Sequence, residues 1–106
     1  MASTAAYLTL PQQAVYSGTK FAVRAISEGL RREAGGAFRV SVVSPGFTRT
    51  NFTETVTNAE TRAQLEASRD AFAMPPEAVA SAIAFAIEQP DDIDVSEIVL
   101  RSTAQA

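Results

Sequence analysis

Apolar positions along this chain change period several times, and the changes mark out its elements. Between Gln12 and Ala34 the residues Val15, Phe21, Ala22, Ala25, Ile26 and Leu30 recur at helical spacings, predicting a helix over 12–34. Arg24, Glu28 and Arg32 follow one another in i,i+4 steps on its polar side, and Gly35-Gly36 supplies a stop where a left-handed residue costs little. Arg39 to Ser44 is rich in β-branched residues and bounded by Gly36 and Pro45, so it reads as a strand. Pro45-Gly46 ends that strand, and Phe47 to about Asn58 has no alternation and reads as a loop. Residues 59–72, with Leu65 and Phe72 among polar residues, predict a helix with little apolar surface. Pro75-Pro76 breaks the chain before a further helix over 77–88, carried by Val79, Ile83 and Ile87 with alanines between them. Glu97 to Arg101 is a second apolar strand, and residues 1–11 read as a strand end or loop.

This alternation of helix and strand implies an α/β fold with parallel strands and right-handed helical crossovers, both strands being apolar enough for burial on both faces. A sheet of only two such strands leaves an apolar edge and part of each face uncovered. The expectation is therefore a part of a larger fold, or a chain whose missing strands come from a partner.

Composition narrows the chemistry. With 106 residues the chain fits one domain. Charged residues make up 20% and interrupt every apolar run, so no segment is expected to cross a membrane. Met1 to Ala6 lacks the basic segment and apolar run of a secretory signal, which points to a cytoplasmic location. The net charge of -3 and the dispersed arginines give no attraction to phosphate backbones, so nucleic acid is not an expected partner. With no cysteine and no histidine, thiol chemistry, histidine-based triads and zinc sites built on those residues are excluded within these residues, and no metal is expected. Proton transfer falls to Tyr, Lys, Asp or Glu.

Against that background Tyr16-Ser17-Gly18-Thr19-Lys20 stands out, because the chain's only lysine lies one turn beyond one of its two tyrosines. Residues four apart share a helix face, so a phenol and an ammonium are presented together. Spacing alone leaves open an ordinary helix-face tyrosine beside a solvated lysine. Its context resembles the short-chain dehydrogenase/reductase family: Tyr-x-x-x-Lys at the start of a long helix, then the strand Arg39 to Ser44, then Pro45-Gly46-Phe47-Thr48-Arg49-Thr50. Ser3, thirteen residues before Tyr16, falls where that family has its active-site serine. The helix segment Phe21 to Glu28 and the ending Glu97 to Gln105 are also similar.

The resemblance implies the C-terminal part of a Rossmann-like doubly wound parallel sheet, with residues 1–106 forming the second half of one NAD(P)-binding domain and the Gly-rich N-terminal half absent. It implies oxidoreduction between an alcohol and a carbonyl by hydride transfer, with Ser3, Tyr16 and Lys20 catalytic. Tyr16 would be the general acid in reduction and the base in oxidation, Lys20 would favour the phenolate and bond the nicotinamide ribose, and Ser3 would hold the substrate carbonyl. Tyr16, Lys20, Pro45, Gly46, Thr48 and Thr50 would face the cofactor, either NAD or NADP, and residues 47–75 would line the pocket for a small alcohol or carbonyl substrate. Homo-oligomers would form through helix 12–34. The competing expectation is a truncated, non-catalytic relative acting through protein association.

Overall fold

A computed structural model describes residues 1–50 and 56–105, and of Arg69 the backbone. Its elements are a 3-10 turn Thr4–Ala6, α1 Ala14–Ala34, β1 Val42–Pro45, α2 Ala59–Phe72, α3 Pro76–Glu88 and β2 Glu97–Leu100. The order and type match the sequence reading, and the boundaries differ by more than one residue at two places for identifiable reasons. α1 begins at Ala14 rather than at 12 because Leu10 to Gln13 forms a turn, Gln13 N–H donating to Leu10 O at 3.1 Å, with Pro11 second and Gln12 third. Gln12 holds φ at 67°, a left-handed conformation usually left to glycine at that place in the turn. At the other end Gly35, with φ at 58°, stops the helix as its glycine pair predicts.

β1 begins at Val42 rather than at 39 because the residues before it are engaged elsewhere. The Arg39 guanidinium donates to the carbonyls of Gln89 at 2.9 Å and Ile87 at 3.2 Å, capping the carboxyl end of α3, where a cation also meets the favourable end of the helix dipole. Val40 N–H goes to the Asp94 carboxylate at 3.2 Å.

β1 and β2 pair in parallel with Val42 opposite Glu97 and Pro45 opposite Leu100. Val42 N–H donates to Ser96 O and Gly46 N–H to Leu100 O, so Pro45, one step out of phase, has its missing donor on the side away from β2. On that other side Ala2 N–H donates to Val43 O at 2.9 Å, so the first residues do approach β1 as a strand end would. Burial on both faces holds for β1, whose Val42, Val43 and Ser44 are all buried; β2 alternates between exposed and half-buried positions, the pattern of an edge.

Successive residues of β1 address opposite faces and so divide the core in two. Val42 packs with Ala2 and Ala6, with Val23 of α1 against them. Val43 packs with Met74 and Val79, with Ala78, Ala82 and Leu100 around them. α1 and the 3-10 turn therefore cover one face and α3 the other, while none of the described side chains of α2 is buried. Large apolar side chains stay exposed on α1 and α3, among them Val15 at 83%, Ile26 at 70% and Ile87 at 66%.

Candidate active site

α1 ends next to the start of β1, so its first turn lies toward the carboxyl end of that strand, the side on which open α/β sheets present their ligands. Tyr16 stands there at 40% exposure. The Lys20 ammonium lies over the Tyr16 ring, 5.6 Å from its centroid, within the range of a cation–π attraction. Thr19 Oγ1 donates to Tyr16 O at 2.7 Å, fixing the threonine back onto its own helix. Ser17, one residue on from Tyr16, points inward and is 1% exposed. One side of this turn is thus seated in the protein while the phenol and ammonium meet solvent.

Ser3 is extended, with φ at −161° and ψ at 161°, and its Oγ accepts from Ala5 N–H at 3.2 Å, which caps the 3-10 turn. Ala5 and Ala6 of that turn are buried, and the turn packs against α1 and beside β1. Arg24 ties the parts together. Its Nη1 donates to Ala6 O at 3.0 Å, its guanidinium carbon lies 3.9 Å from the centroid of the Tyr7 ring, and its Nη2 meets Glu97 Oε1 at 3.4 Å. Arg24 was expected on a solvated polar face with Glu28 and Arg32, and that assignment fails. Helical periodicity places it one turn beyond Lys20 but says nothing of a carbonyl eighteen residues back. Glu28 instead pairs with Arg31 and Arg32, at 2.7 and 2.8 Å. Their two guanidinium groups hold the Glu28 carboxyl below its ordinary value.

Pro45-Gly46 leaves the carboxyl end of β1. Gly46 is a site of close approach: a Cβ there would overlap the Gln105 amide and lie 3.0 Å from Arg101 Cβ. Thr48 Oγ1 donates to Gly46 O at 3.1 Å, and Thr50 is exposed. Beyond the turn, Thr48 bridges Met74, with Met74 N–H to Phe47 O and Arg49 N–H to Met74 O both at 2.9 Å, while Phe47 meets Phe72 edge-on at 6.2 Å between centroids. The segment 47–75 therefore leaves and rejoins the sheet at one place. Residues 51–55 of that expected substrate loop lie outside the described residues.

The structure brings Tyr16 and Lys20 into contact, packs the Ser3 turn against their helix, and puts Pro45, Gly46, Thr48 and Thr50 on the loop leaving the same end of β1. Sequence reasoning passed over two buried hydroxyls there. Ser17 Oγ and Ser44 Oγ have no hydrogen-bond partner among the described residues, and the only local signal was their adjacency to Tyr16 and Pro45. Elsewhere an open groove of about 520 Å³ lies on the α3 face beside Val43, Ile83 and Ile87. Its one charged side chain, Arg39, is already bonded to carbonyls, so it offers no chemistry. Among the described residues no cluster of three His, Cys, Asp or Glu side chains is arranged to hold a metal, and no helix is long and apolar enough to cross a membrane.

Residues 1–61, which include the Ser3 turn, Tyr16, Lys20 and the whole of the Pro45-Gly46 loop, match the family described as short chain dehydrogenase. The chain belongs to the short-chain dehydrogenase family. It is 37% identical over its whole length to an uncharacterized oxidoreductase of Staphylococcus saprophyticus, covering 44% of that protein. It is 33% identical over 85% of its length to dehydrogenase/reductase SDR family member 11 of Homo sapiens, covering 36% of it. The closed form of a serine dehydrogenase complexed with NADP+ superposes with a TM-score of 0.87 at 25% identity, over 99% of this chain and 43% of that one. The chain thus spans less than half the length of the short-chain dehydrogenases it matches. The family is one of NAD(P)-dependent oxidoreductases, and the small parallel sheet with its flanking helices is part of a Rossmann-like α/β fold.

Proposed function

We propose that these residues form the proton-transfer half of an NAD(P)-dependent oxidoreductase that interconverts an alcohol and a carbonyl, as the C-terminal half of a single Rossmann domain. The observation that carries this reading is the placement of Tyr16 and Lys20, in contact at the exposed start of α1, beside the Ser3 turn. In reduction Tyr16 gives its phenolic proton to the carbonyl oxygen of the substrate, and in oxidation it takes the proton back. Lys20 lies over the Tyr16 ring, so its ammonium is held in the same site as the phenol. Ser3 orients the substrate carbonyl by a hydrogen bond, for which its hydroxyl proton remains available while Oγ accepts from Ala5 N–H.

The residues present fit one end of a nicotinamide cofactor. Lys20 and Tyr16 would hold the ribose, and the loop Pro45, Gly46, Thr48 and Thr50 would flank the nicotinamide, close to the buried Ser44 hydroxyl that has no partner among the described residues. When bound, the nicotinamide supplies or accepts the hydride. The chain carries no Gly-rich turn opening a helix to cradle the pyrophosphate, so these residues do not choose between NAD and NADP. The same absence makes turnover by these 106 residues alone unexpected. The exposed Val15, Ile26 and Leu30 on α1 favour a second copy docking on that helix, in a cytoplasmic homo-oligomer. Tyr16→Phe in the full-length protein tests the assignment. Carbonyl reduction should fall by about 100-fold or more while NADPH affinity, read by nicotinamide fluorescence, stays within about threefold. Retained turnover would remove Tyr16 from the acid role. If the unaltered protein associates through α1 yet binds neither NADH nor NADPH, the non-catalytic reading takes its place.

A further inference from the structure

Gln105 lies at the far end of the chain from the catalytic helix, yet its side chain ends on the loop beside Pro45. Its Oε1 accepts from Phe47 N–H at 3.0 Å, and the same amide fills the space over Gly46 that a Cβ would need. The tail is shaped to deliver it: Gln105 N–H donates to Ser102 O at 2.9 Å and Ala104 N–H to Ser102 Oγ at 3.2 Å, folding residues 102–105 back after β2. Gly46 does not lie in the left-handed region, so its lack of a side chain is explained by this close approach and not by its backbone angles.

Phe47 is held on three sides. Its N–H goes to Gln105, its carbonyl accepts from Met74 N–H at 2.9 Å, and its ring meets Phe72. Thr48 follows directly. We propose that Gln105 is a positioning residue for the cofactor-side loop: the C-terminal tail clamps Gly46 and Phe47 and thereby sets where Thr48 and the loop beyond it stand. This rests on the reading of Pro45 to Thr50 as the nicotinamide-side loop, while the clamp itself rests on geometry alone.

The test separates the two in the full-length protein. Gln105→Leu keeps the bulk and removes the acceptor; Gln105→Glu keeps an acceptor at the same reach. Leu should raise the Kd and KM for NADPH by about 5- to 10-fold with kcat within about twofold, the size expected for one hydrogen bond lost from a half-buried N–H, and Glu should restore most of the affinity. NADH is titrated in parallel. Equal affinity in the Leu variant, or equal loss in Leu and Glu, would overturn the positioning role. The clamp is read from melting temperature without cofactor: Gly46→Ala should lower Tm clearly in the unaltered protein and less in a Gln105→Ala background, where only Arg101 Cβ still crowds the new methyl. Additive shifts would overturn the clamp even if cofactor binds. No binding of either cofactor by the unaltered protein, with non-additive shifts, would overturn the cofactor reading and leave the clamp standing.

Discussion

α1 and α2 are attached to the protein in opposite ways. α1 is tied down through its first half: Ser17 is buried near its start, Val23 packs on Ala2, Ala6 and Val42, and Arg24 reaches a carbonyl, a ring and a carboxylate on two other segments. α2 buries none of its described side chains and is held at its carboxyl end, where Phe72 meets Phe47 and Met74 follows two residues later. In the proposed reaction α1 carries the group that moves a proton, which tolerates little misplacement, while α2 borders the substrate space, where adaptability is useful. The contrast therefore assigns stability to the chemistry and latitude to the substrate side.

The largest test of that contrast compares Met74→Ala with Leu65→Ala. Met74 is 5% exposed, lies in the cluster with Val43 and Val79, and is the root of α2; its truncation should cost about 2–4 kcal/mol in urea unfolding of the full-length protein. Leu65, half-buried in the middle of α2, should cost less than about 1 kcal/mol. Comparable losses at the two positions would mean that α2 is anchored along its length, and the contrast would dissolve.

Arg24 offers the next test, on the tied-down side. Arg24→Met keeps much of the stem's packing but loses the charge-assisted bond to Ala6 O and the stacking on Tyr7, and should destabilise by about 2 kcal/mol. Arg24→Lys should recover only a small part, since a point charge cannot reach a carbonyl and a carboxylate while lying flat on a ring. A lysine variant as stable as the parent would reduce Arg24 to the solvated helix residue that its periodicity implies.

These residues also show which kinds of information a local pattern carries. Periodicity found α1, α2 and α3, and Tyr16, Lys20 and Gly35 fell where spacing and turn chemistry put them, because the signals lie within a few residues of one another. Arg39 and Val40 read as strand but spend their donors on α3 and on Asp94, across some fifty residues of sequence. Gln12 takes a left-handed angle that its side chain does not announce, although Pro11 marks the turn. Gln105 sits in a short polar tail with no pattern, and its partner Phe47 is 58 positions away. The helices were legible because they are written locally; the ties that hold the candidate site were not, because each joins distant segments.

The smallest test concerns Glu28, whose partners Arg31 and Arg32 lie on α1 itself. Bonds from Arg31, then Arg32, hold its carboxyl below the ordinary glutamate value, so the folded state favours the charged form. A lowered pKa contributes stability that is present above the unfolded value and is lost as pH falls through the folded one. Glu28→Gln should therefore lower Tm slightly at neutral pH, and the difference from the parent should shrink to nothing as the pH is taken below both values. Because the pair is exposed, 0.5 M salt should reduce the difference at neutral pH as well. Carbonyl reduction should be unchanged throughout, since the bonds of Glu28 run to Arg31 and Arg32 of α1 itself. A loss of turnover in Glu28→Gln would show that the wet face of α1 is coupled to the site, and that the division between anchored and free surfaces runs elsewhere than through Arg24.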